Sequence, residues 1–157
     1  FIRIKFMTKH QLAQINIARM KGVNIDDTIM QEFVDNLDRI NELAESSEGF
    51  IWRLKDDSNN ATSINPYNDE QILVNVSVWE NIESLEKFTY KTFHTDFLKR
   101  RKEWFQLFGN AYYALWWIKK GNFPTIEEAV EKLDYLQKNG SSEAVFDFKK
   151  RFAPTGI

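Results

Sequence analysis

The segment Gln71-Ile-Leu-Val-Asn-Val-Ser-Val-Trp79 decides the fold, because it contains no charged side chain. Successive side chains of a β-strand point to opposite faces of the sheet. One face of this segment is aliphatic and carries Ile72, Val74, Val76 and Val78. The other face is uncharged and carries Leu73, Asn75, Ser77 and Trp79. A solvated face would carry charge, so we expect a strand that is covered on both faces.

The segment Ala111-Tyr-Tyr-Ala-Leu-Trp-Trp-Ile118 has the same character and predicts another strand with two covered faces. We expect helices to cover one face of the sheet, and we expect that too little chain remains to cover the other. A second copy packed sheet to sheet would cover it, and two-fold symmetry is the commonest form of self-association. The sequence therefore predicts a homodimer.

The remaining elements follow from periodicity and from helix-capping residues. They are expected at residues 10–19 (strand), 28–44 (helix), 50–54 (strand) and 81–108 (one long helix). Thr125 with Glu128 forms a capping box that opens a further helix, and Phe146 with Phe148 indicates a short tail strand. The sequence therefore predicts an α+β, ferredoxin-like βαββαβ fold with an extra C-terminal helix and a short tail strand. We assign residues 10–157 to this single domain and residues 1–9 to a leader of unassigned status.

Composition excludes several classes of protein. The net charge of −2 gives no electrostatic sign of binding to nucleic acid or to an anionic membrane. No apolar stretch reaches the roughly 18 residues that a membrane span requires. The chain has no cysteine and two histidines, and it lacks a phosphate loop, a nucleophile elbow and a dinucleotide fingerprint. We expect a cytoplasmic protein that uses neither a metal nor a nucleotide.

The long predicted helix carries the candidate catalytic residues. His94 and Arg101 fall on one stripe with the apolar residues Leu98, Phe105 and Phe108. Unpaired polar groups in apolar surroundings are costly. The two side chains therefore either point into a pocket between helix and sheet, or they have hydrogen-bonding partners within the core.

Six further residues are candidates for substrate binding: Asn16, Asn75, Ser77, Trp79, Tyr90 and Trp104. Asn is disfavoured in strands, so Asn16 and Asn75 suggest contact with a ligand. For Trp79 the alternative is a place in the core, and for Tyr90 it is a cap on the core. The thirteen Phe, five Trp and five Tyr residues suit both a core and a pocket for a flat ligand.

Several segments together resemble a known group of proteins. They are residues 10–19, Gly49-Phe-Ile-Trp-Arg53, Asn75-Val-Ser-Val-Trp79-Glu80, Tyr90 to Trp104 with His94 between them, Trp116-Trp117 and Pro124-Thr125. The chain resembles, from His10 to Phe152, a bacterial family of unassigned function in the dimeric α/β-barrel superfamily, related to the antibiotic-biosynthesis monooxygenases. The resemblance implies the dimeric α/β barrel as the fold.

The same resemblance implies roles for particular residues. In oxygenases of the superfamily, an Asn and a Trp of the third strand and an Arg of the next helix surround the substrate. Asn75, Trp79 and Arg101 match these in type and order. In haem-degrading members a helix His binds iron. His94 lies on the corresponding helix, but its separation from Trp79 is not the usual one.

We therefore expect a small-molecule enzyme, a cofactor-independent oxygenase or isomerase that acts on an apolar aromatic ligand. Arg101 would stabilise an anionic oxygen, Asn16 and Asn75 would orient it, and His94 would exchange a proton. Two alternatives stay open. One is a ligand-binding protein without turnover, and the other is a haem-binding protein with His94 as the axial ligand.

Overall fold

The structure is a computed structural model that describes residues 9–57, 59–93 and 99–155. Within these residues the chain forms one four-stranded antiparallel sheet and three α-helices. The mixed α+β class predicted from the sequence is confirmed. In the described ranges no helix is both long enough and apolar enough to cross a membrane. Residues 1–8 of the predicted leader lie outside the described residues.

The order of elements along the chain is also as predicted. The strands are β1 (His10–Arg19), β2 (Phe50–Arg53), β3 (Ile72–Trp79) and β4 (Tyr113–Lys119). The helices are α1 (Gln31–Glu45), α2 (Ile82–Phe93) and α3 (Ile126–Asn139). The strands pair in the order β2-β3-β1-β4, with every neighbouring pair antiparallel. This is the split βαβ arrangement of ferredoxin-like folds.

Local hydrogen bonds explain where α2 and α3 begin. The side chain of Asn81 accepts a hydrogen bond from the backbone N–H of Ser84 at 2.8 Å, and Thr125 Oγ1 accepts one from the N–H of Glu128 at 3.1 Å. Both bonds satisfy amide groups that the first turn of a helix leaves unpaired. The turn before β2 needs Gly49, because its φ is positive and a Cβ there would collide with the Ser84 side chain.

The two faces of the sheet are covered by different helices. On one face, here called the α3 face, the aliphatic side chains of β1 and β3 and Trp116 of β4 pack against α3 through Ala129, Leu133 and Leu136. On the opposite face, here called the α1/α2 face, the chain contributes α1, α2 and the residues that follow α2. Both faces are therefore covered within one copy of the chain.

This arrangement corrects one step of the sequence analysis. The expectation that too little chain remains to cover the second face is wrong, because α3 crosses that face and buries Leu133 completely. A sheet-to-sheet contact between two copies would have to displace α3. The homodimer and the dimeric barrel stay predictions. An uncovered sheet face is no longer an argument for them, because α3 covers that face.

The predicted long helix from residue 81 to residue 108 is also corrected. Helix α2 is described as Ile82–Phe93, and Arg101–Glu103 is a short 3-10 helix. The chain then runs beside the end of β1, since Lys21 N–H donates to the Trp104 carbonyl at 2.7 Å. Trp104 and Phe105 pack against Phe33 of α1, in a small core cluster at this end of the sheet. Burial of these two rings accounts for the departure from helical geometry.

The tail beyond α3 returns to the sheet. Phe146 forms an isolated antiparallel bridge with Leu115, with backbone bonds of 2.8 and 2.9 Å. Trp117 Nε1 donates to the carbonyl of Phe152 at 2.8 Å, and Arg151 forms an ion pair with Glu86 of α2. The predicted tail strand is therefore reduced to one bridge, which covers the outer edge of β4.

Leu133→Ala tests whether α3 is an integral part of the core. Leu133 is fully buried, so the substitution should lower the free energy of unfolding by about 2–5 kcal/mol in urea denaturation. Glu131→Ala, on the exposed side of the same helix, should change it by no more than about 0.5 kcal/mol. Equal effects of the two substitutions would show that α3 does not pack as described.

Candidate functional site

A cavity of about 410 Å³ lies between the α1/α2 face of the sheet and the two helices. Small-molecule sites have volumes of about 300–1,000 Å³. The sheet forms the floor of the cavity, α1 forms its roof, and α2 forms a side wall. A pocket between sheet and helices is where the sequence placed the candidate site.

Helix α1 contacts strand β2 at the edge of the sheet and lies over the cavity. Its apolar stripe consists of Phe33, Leu37, Ile40 and Ala44, and all four line the cavity. Only Phe33 is buried, and the other three are partly exposed. An amphipathic helix normally buries such a stripe in the core. Here the apolar stripe of α1 forms part of the cavity wall.

Helix α2 presents a mixed wall. Leu85, Phe88, Thr89 and Thr92 recur at three- and four-residue spacing and line the cavity. The Thr89 hydroxyl donates to the Leu85 carbonyl at 2.8 Å, so its proton is already engaged within the helix. Tyr90 lies on the other side of the helix and is 68% exposed. Tyr90 is not among the described residues that line the cavity, and its role in substrate binding stays a prediction.

The floor of the cavity is set by strand register. Side chains that are paired across antiparallel strands are close neighbours on the same face. Asn16 of β1 lies between Asn75 of β3 and Tyr113 of β4. In the next row on this face, Gln14 lies between Ser77 and Leu115, and Arg53 of β2 pairs with Ser77.

The carboxamide and hydroxyl groups of the floor form one hydrogen-bonded network. Gln14 Nε2 donates to Asn75 Oδ1 at 2.6 Å and to Ser77 Oγ at 2.8 Å. Asn16 Nδ2 donates to Gln14 Oε1 at 3.0 Å and to Asn75 Oδ1 at 3.3 Å. Trp79 Nε1 donates to Ser77 Oγ at 2.8 Å. Gln14 and Ser77 are buried, so these bonds offset the cost of removing polar groups from water.

The indole of Trp79 is packed in the core and also borders the cavity. It is 1% exposed, and its ring packs on Phe50 and Phe88 at centroid distances of 5.4 and 5.1 Å. Trp79 is thus a core residue, as its alternative assignment expected, and it closes one end of the pocket. Its indole N–H holds Ser77 in place.

Arg53 is a lining residue that the sequence analysis missed. Its guanidinium is almost fully buried and borders the cavity. Nε donates to Glu45 at 2.9 Å, and Nη2 donates to the carbonyl of Asn59 at 2.7 Å. A buried charge needs such partners. The available signal was a single cationic residue in the otherwise apolar strand Phe50-Ile-Trp-Arg53.

Tyr113 is a second residue that the sequence analysis missed. Its hydroxyl oxygen accepts a hydrogen bond from the N–H of Phe148 at 3.0 Å, and both residues line the cavity. Burial raises the pKa of the Tyr113 phenol above its ordinary value. The phenol therefore stays protonated at neutral pH. The tail that carries Phe148 thus supplies part of the pocket wall.

The structure brings together five of the residues predicted for the site. Those that line the cavity are Asn16, Asn75, Ser77, Trp79 and Arg101. Trp104 is 2% exposed and packs against Phe33, with Arg100 over its ring at 5.2 Å, so it belongs to the core and not to the pocket wall. His94 lies outside the described residues. The catalytic and binding roles of all these residues stay predictions.

The charged residues of the cavity have one sign. Among the lining residues that the structure describes, Arg53 and Arg101 are cationic and no side chain is a carboxylate. In the described ranges there is also no cluster of His, Cys, Asp or Glu that could hold a metal ion. The chemistry of the described lining is therefore that of hydrogen-bond donors, guanidinium groups and aromatic rings.

Comparison with known proteins assigns the chain to a family without assigning a reaction. Residues 11–157 match the family described as a domain of unknown function, DUF3291. No curated protein and no solved structure matches the chain. The expectation of a family of unassigned function is confirmed, and the relation to antibiotic-biosynthesis monooxygenases stays a prediction.

Gln14→Ala tests the network. The substitution leaves Asn16, Asn75 and Ser77 without their shared partner, so the free energy of unfolding should fall by about 1–3 kcal/mol in chemical denaturation. Gln31→Ala, at an exposed position of α1, is the matched control and should change it by no more than about 0.5 kcal/mol. A Gln14→Ala protein as stable as the parent would contradict the network's contribution.

Proposed function

Because the chain belongs to the DUF3291 family, whose function is unknown, we propose its function from the pocket. We propose that it is a small-molecule enzyme of the antibiotic-biosynthesis-monooxygenase-like type, a cofactor-independent oxygenase or isomerase that acts on an apolar aromatic ligand. The observation that carries the proposal is a cavity of about 410 Å³ with apolar walls over a polar floor. Such sites bind small molecules through apolar contact and orient them through a few polar groups.

The walls favour a flat ring system. Phe33, Phe88, Phe105, Tyr113 and Phe148 all border the cavity, on five different parts of the fold. Aromatic side chains pack well against other rings, both stacked and edge to face. A ligand with an aromatic body would therefore have ring contacts on several sides.

The polar residues supply the groups that the proposed reaction needs. Removal of a proton from the ligand leaves an anion, and Arg101 would stabilise its oxygen. Asn75, on the floor, would orient that oxygen directly, and Asn16 would orient it by holding the Asn75 amide in place. His94, with an unperturbed pKa near neutrality for its residue type, would accept the proton. In an oxygenase, dioxygen would add to the carbanion to give a peroxide anion, which would take the proton back from His94 and lose water to leave a carbonyl. In an isomerase, the proton would return at another carbon.

A second candidate is a binding protein without turnover, and one observation favours it. In the described part of the lining there is neither a carboxylate nor an imidazole, which are the usual general bases. The floor and walls are sufficient for binding without any base. Binding and turnover must therefore be measured separately.

Ala44→Trp tests whether the cavity is the ligand site. Ala44 lies on the roof, so an indole at this position should fill the cavity and weaken binding of 2-naphthol by at least about tenfold in calorimetric titration. Val34→Trp places the same side chain on the exposed side of α1 and should leave the affinity unchanged. Equal affinities in the two variants would place the ligand elsewhere.

Turnover should be tested with a panel of hydroxylated polycyclic aromatics in air, with oxygen uptake and product formation as readouts. We expect His94→Ala to lose about 10²–10⁴-fold in rate and Arg101→Ala about 10²–10³-fold, with folding retained. Arg39→Ala, on the exposed side of α1, is the control and should keep the parent rate. Unchanged rates in both site variants would defeat the assigned roles, and binding without any turnover would favour the second candidate.

A further inference from the structure

The hydroxyl group of Ser77 borders the cavity and accepts two hydrogen bonds in the floor. A serine hydroxyl has two acceptor lone pairs and one donor proton. Ser77 Oγ accepts from Gln14 Nε2 and from Trp79 Nε1, each at 2.8 Å, so both lone pairs are occupied. Among the described residues no acceptor receives its proton, although Ser77 is only 5% exposed. Ser77 lines the cavity, which is where an acceptor would have to lie.

The Asn75 carboxamide also has an oxygen that accepts two hydrogen bonds and has donor protons left over. Its Oδ1 accepts from Gln14 Nε2 and from Asn16 Nδ2, which occupies both lone pairs of the oxygen. Its Nδ2 group makes no hydrogen bond within the described ranges and carries two donor protons. Asn75 and Ser77 lie two positions apart on the same face of β3, so these protons and the Ser77 proton are neighbours.

The network couples the orientations of the three amides, because each amide shares hydrogen bonds with the other two. Gln14 uses both Nε2 protons, and Asn16 uses both Nδ2 protons, within the floor. Turning the Asn75 amide alone would break two of these bonds. Turning Gln14, Asn16 and Asn75 together would keep all four bonds in the reverse direction, with the Ser77 hydroxyl donating to Gln14. In the direction described, the centre of the floor offers donors. A negative oxygen bound in the cavity that Arg101 lines would favour this direction over the reverse one.

We propose that Ser77 and Asn75 form a two-donor site that selects ligands with an oxygen acceptor, a carbonyl, carboxylate or phenolate oxygen, on an apolar aromatic body. The inference rests on the proposed function, since it names the ligand class of the same pocket. Donors that are preoriented and shielded from water bind a negative oxygen much better than donors in solution. The cationic Arg101 in the lining favours the same sign of charge, whereas the charge of Arg53 is already paired with Glu45.

The wild-type protein provides the first test, with three probes that share one ring system. These are 2-naphthoate, naphthalene and the 2-naphthylmethylammonium cation, each titrated calorimetrically. An acceptor-selecting floor should bind 2-naphthoate at least about tenfold more tightly than naphthalene, and should bind the cation most weakly. Equal affinities, or an order led by the cation, would overturn the inference.

Two substitutions provide the second test. Ser77→Ala removes one donor and should weaken 2-naphthoate by about tenfold while leaving naphthalene nearly unaffected. Asn75→Asp keeps the shape and the Oδ1 acceptor but replaces two donor protons by a negative oxygen. It should therefore weaken 2-naphthoate more strongly and should improve binding of the cation. Circular dichroism and cooperative thermal unfolding identify a variant that fails to fold, and the probe order of the wild type does not depend on either variant.

Thr89→Val is the matched control for loss of a hydroxyl group in the same cavity. Because Thr89 already donates to the Leu85 carbonyl, its removal should leave the ratio of the 2-naphthoate and naphthalene affinities unchanged. If Ser77→Ala and Thr89→Val lower the preference for 2-naphthoate over naphthalene equally, the result would count against a specific donor site. If no probe binds the wild type, the proposed function fails as well. If naphthalene binds as tightly as 2-naphthoate, only the ligand class fails.

Discussion

The requirement that buried polar groups be hydrogen-bonded shapes the α1/α2 face of the sheet. Gln14, Asn16, Asn75 and Ser77 lie side by side at its centre, where most sheets of this kind would be aliphatic. Their mutual hydrogen bonds make this position tolerable. An apolar helix stripe packed directly onto them would leave their remaining donors without partners. The cavity under α1 therefore leaves room for partners of the polar groups on the floor.

The two faces of the sheet differ in how closely they are packed. The α3 face is a packed aliphatic layer, with Ala13, Ile15 and Val78 fully buried against a helix that fits closely. The α1/α2 face gives up part of that packing to keep an open volume. Functional sites commonly reduce local stability in this way. Packing of the C-terminal helix α3 thus adds to the free energy of unfolding and helps to offset the stability lost at the cavity.

The sequence predicted the fold better than the site. Strand alternation placed Asn75 and Ser77 on one face because the period of a strand is two, and the order of elements followed from helix caps at Asn81 and Thr125. Gln14 was missed, although it lies two residues before Asn16 on the same face, because Gln is less unusual in a strand than Asn. Only the register between strands reveals that it joins the other three.

The errors have physical causes of the same kind. The apolar spacing of residues 94–108 fits one helix, but Trp104 is buried beside the end of β1, where Phe105 forms a β-bridge with Met20. The covering of the second face by α3 depends on the path of the chain after Gly121, which periodicity does not specify. In both cases a long-range contact decides the outcome, and local pattern carries no information about it.

The composition of the lining indicates which residue separates catalysis from binding. Donors and guanidinium groups stabilise a negative oxygen whether or not a reaction follows. A reaction that begins with proton removal also needs an acceptor for that proton, and the described lining contains no carboxylate or imidazole. Among the candidates predicted from the sequence, His94, which lies outside the described residues, would accept that proton. The proposed donors of the floor suit an oxygen acceptor with or without turnover, whereas the proposed reaction also requires a base, for which His94 is the predicted candidate.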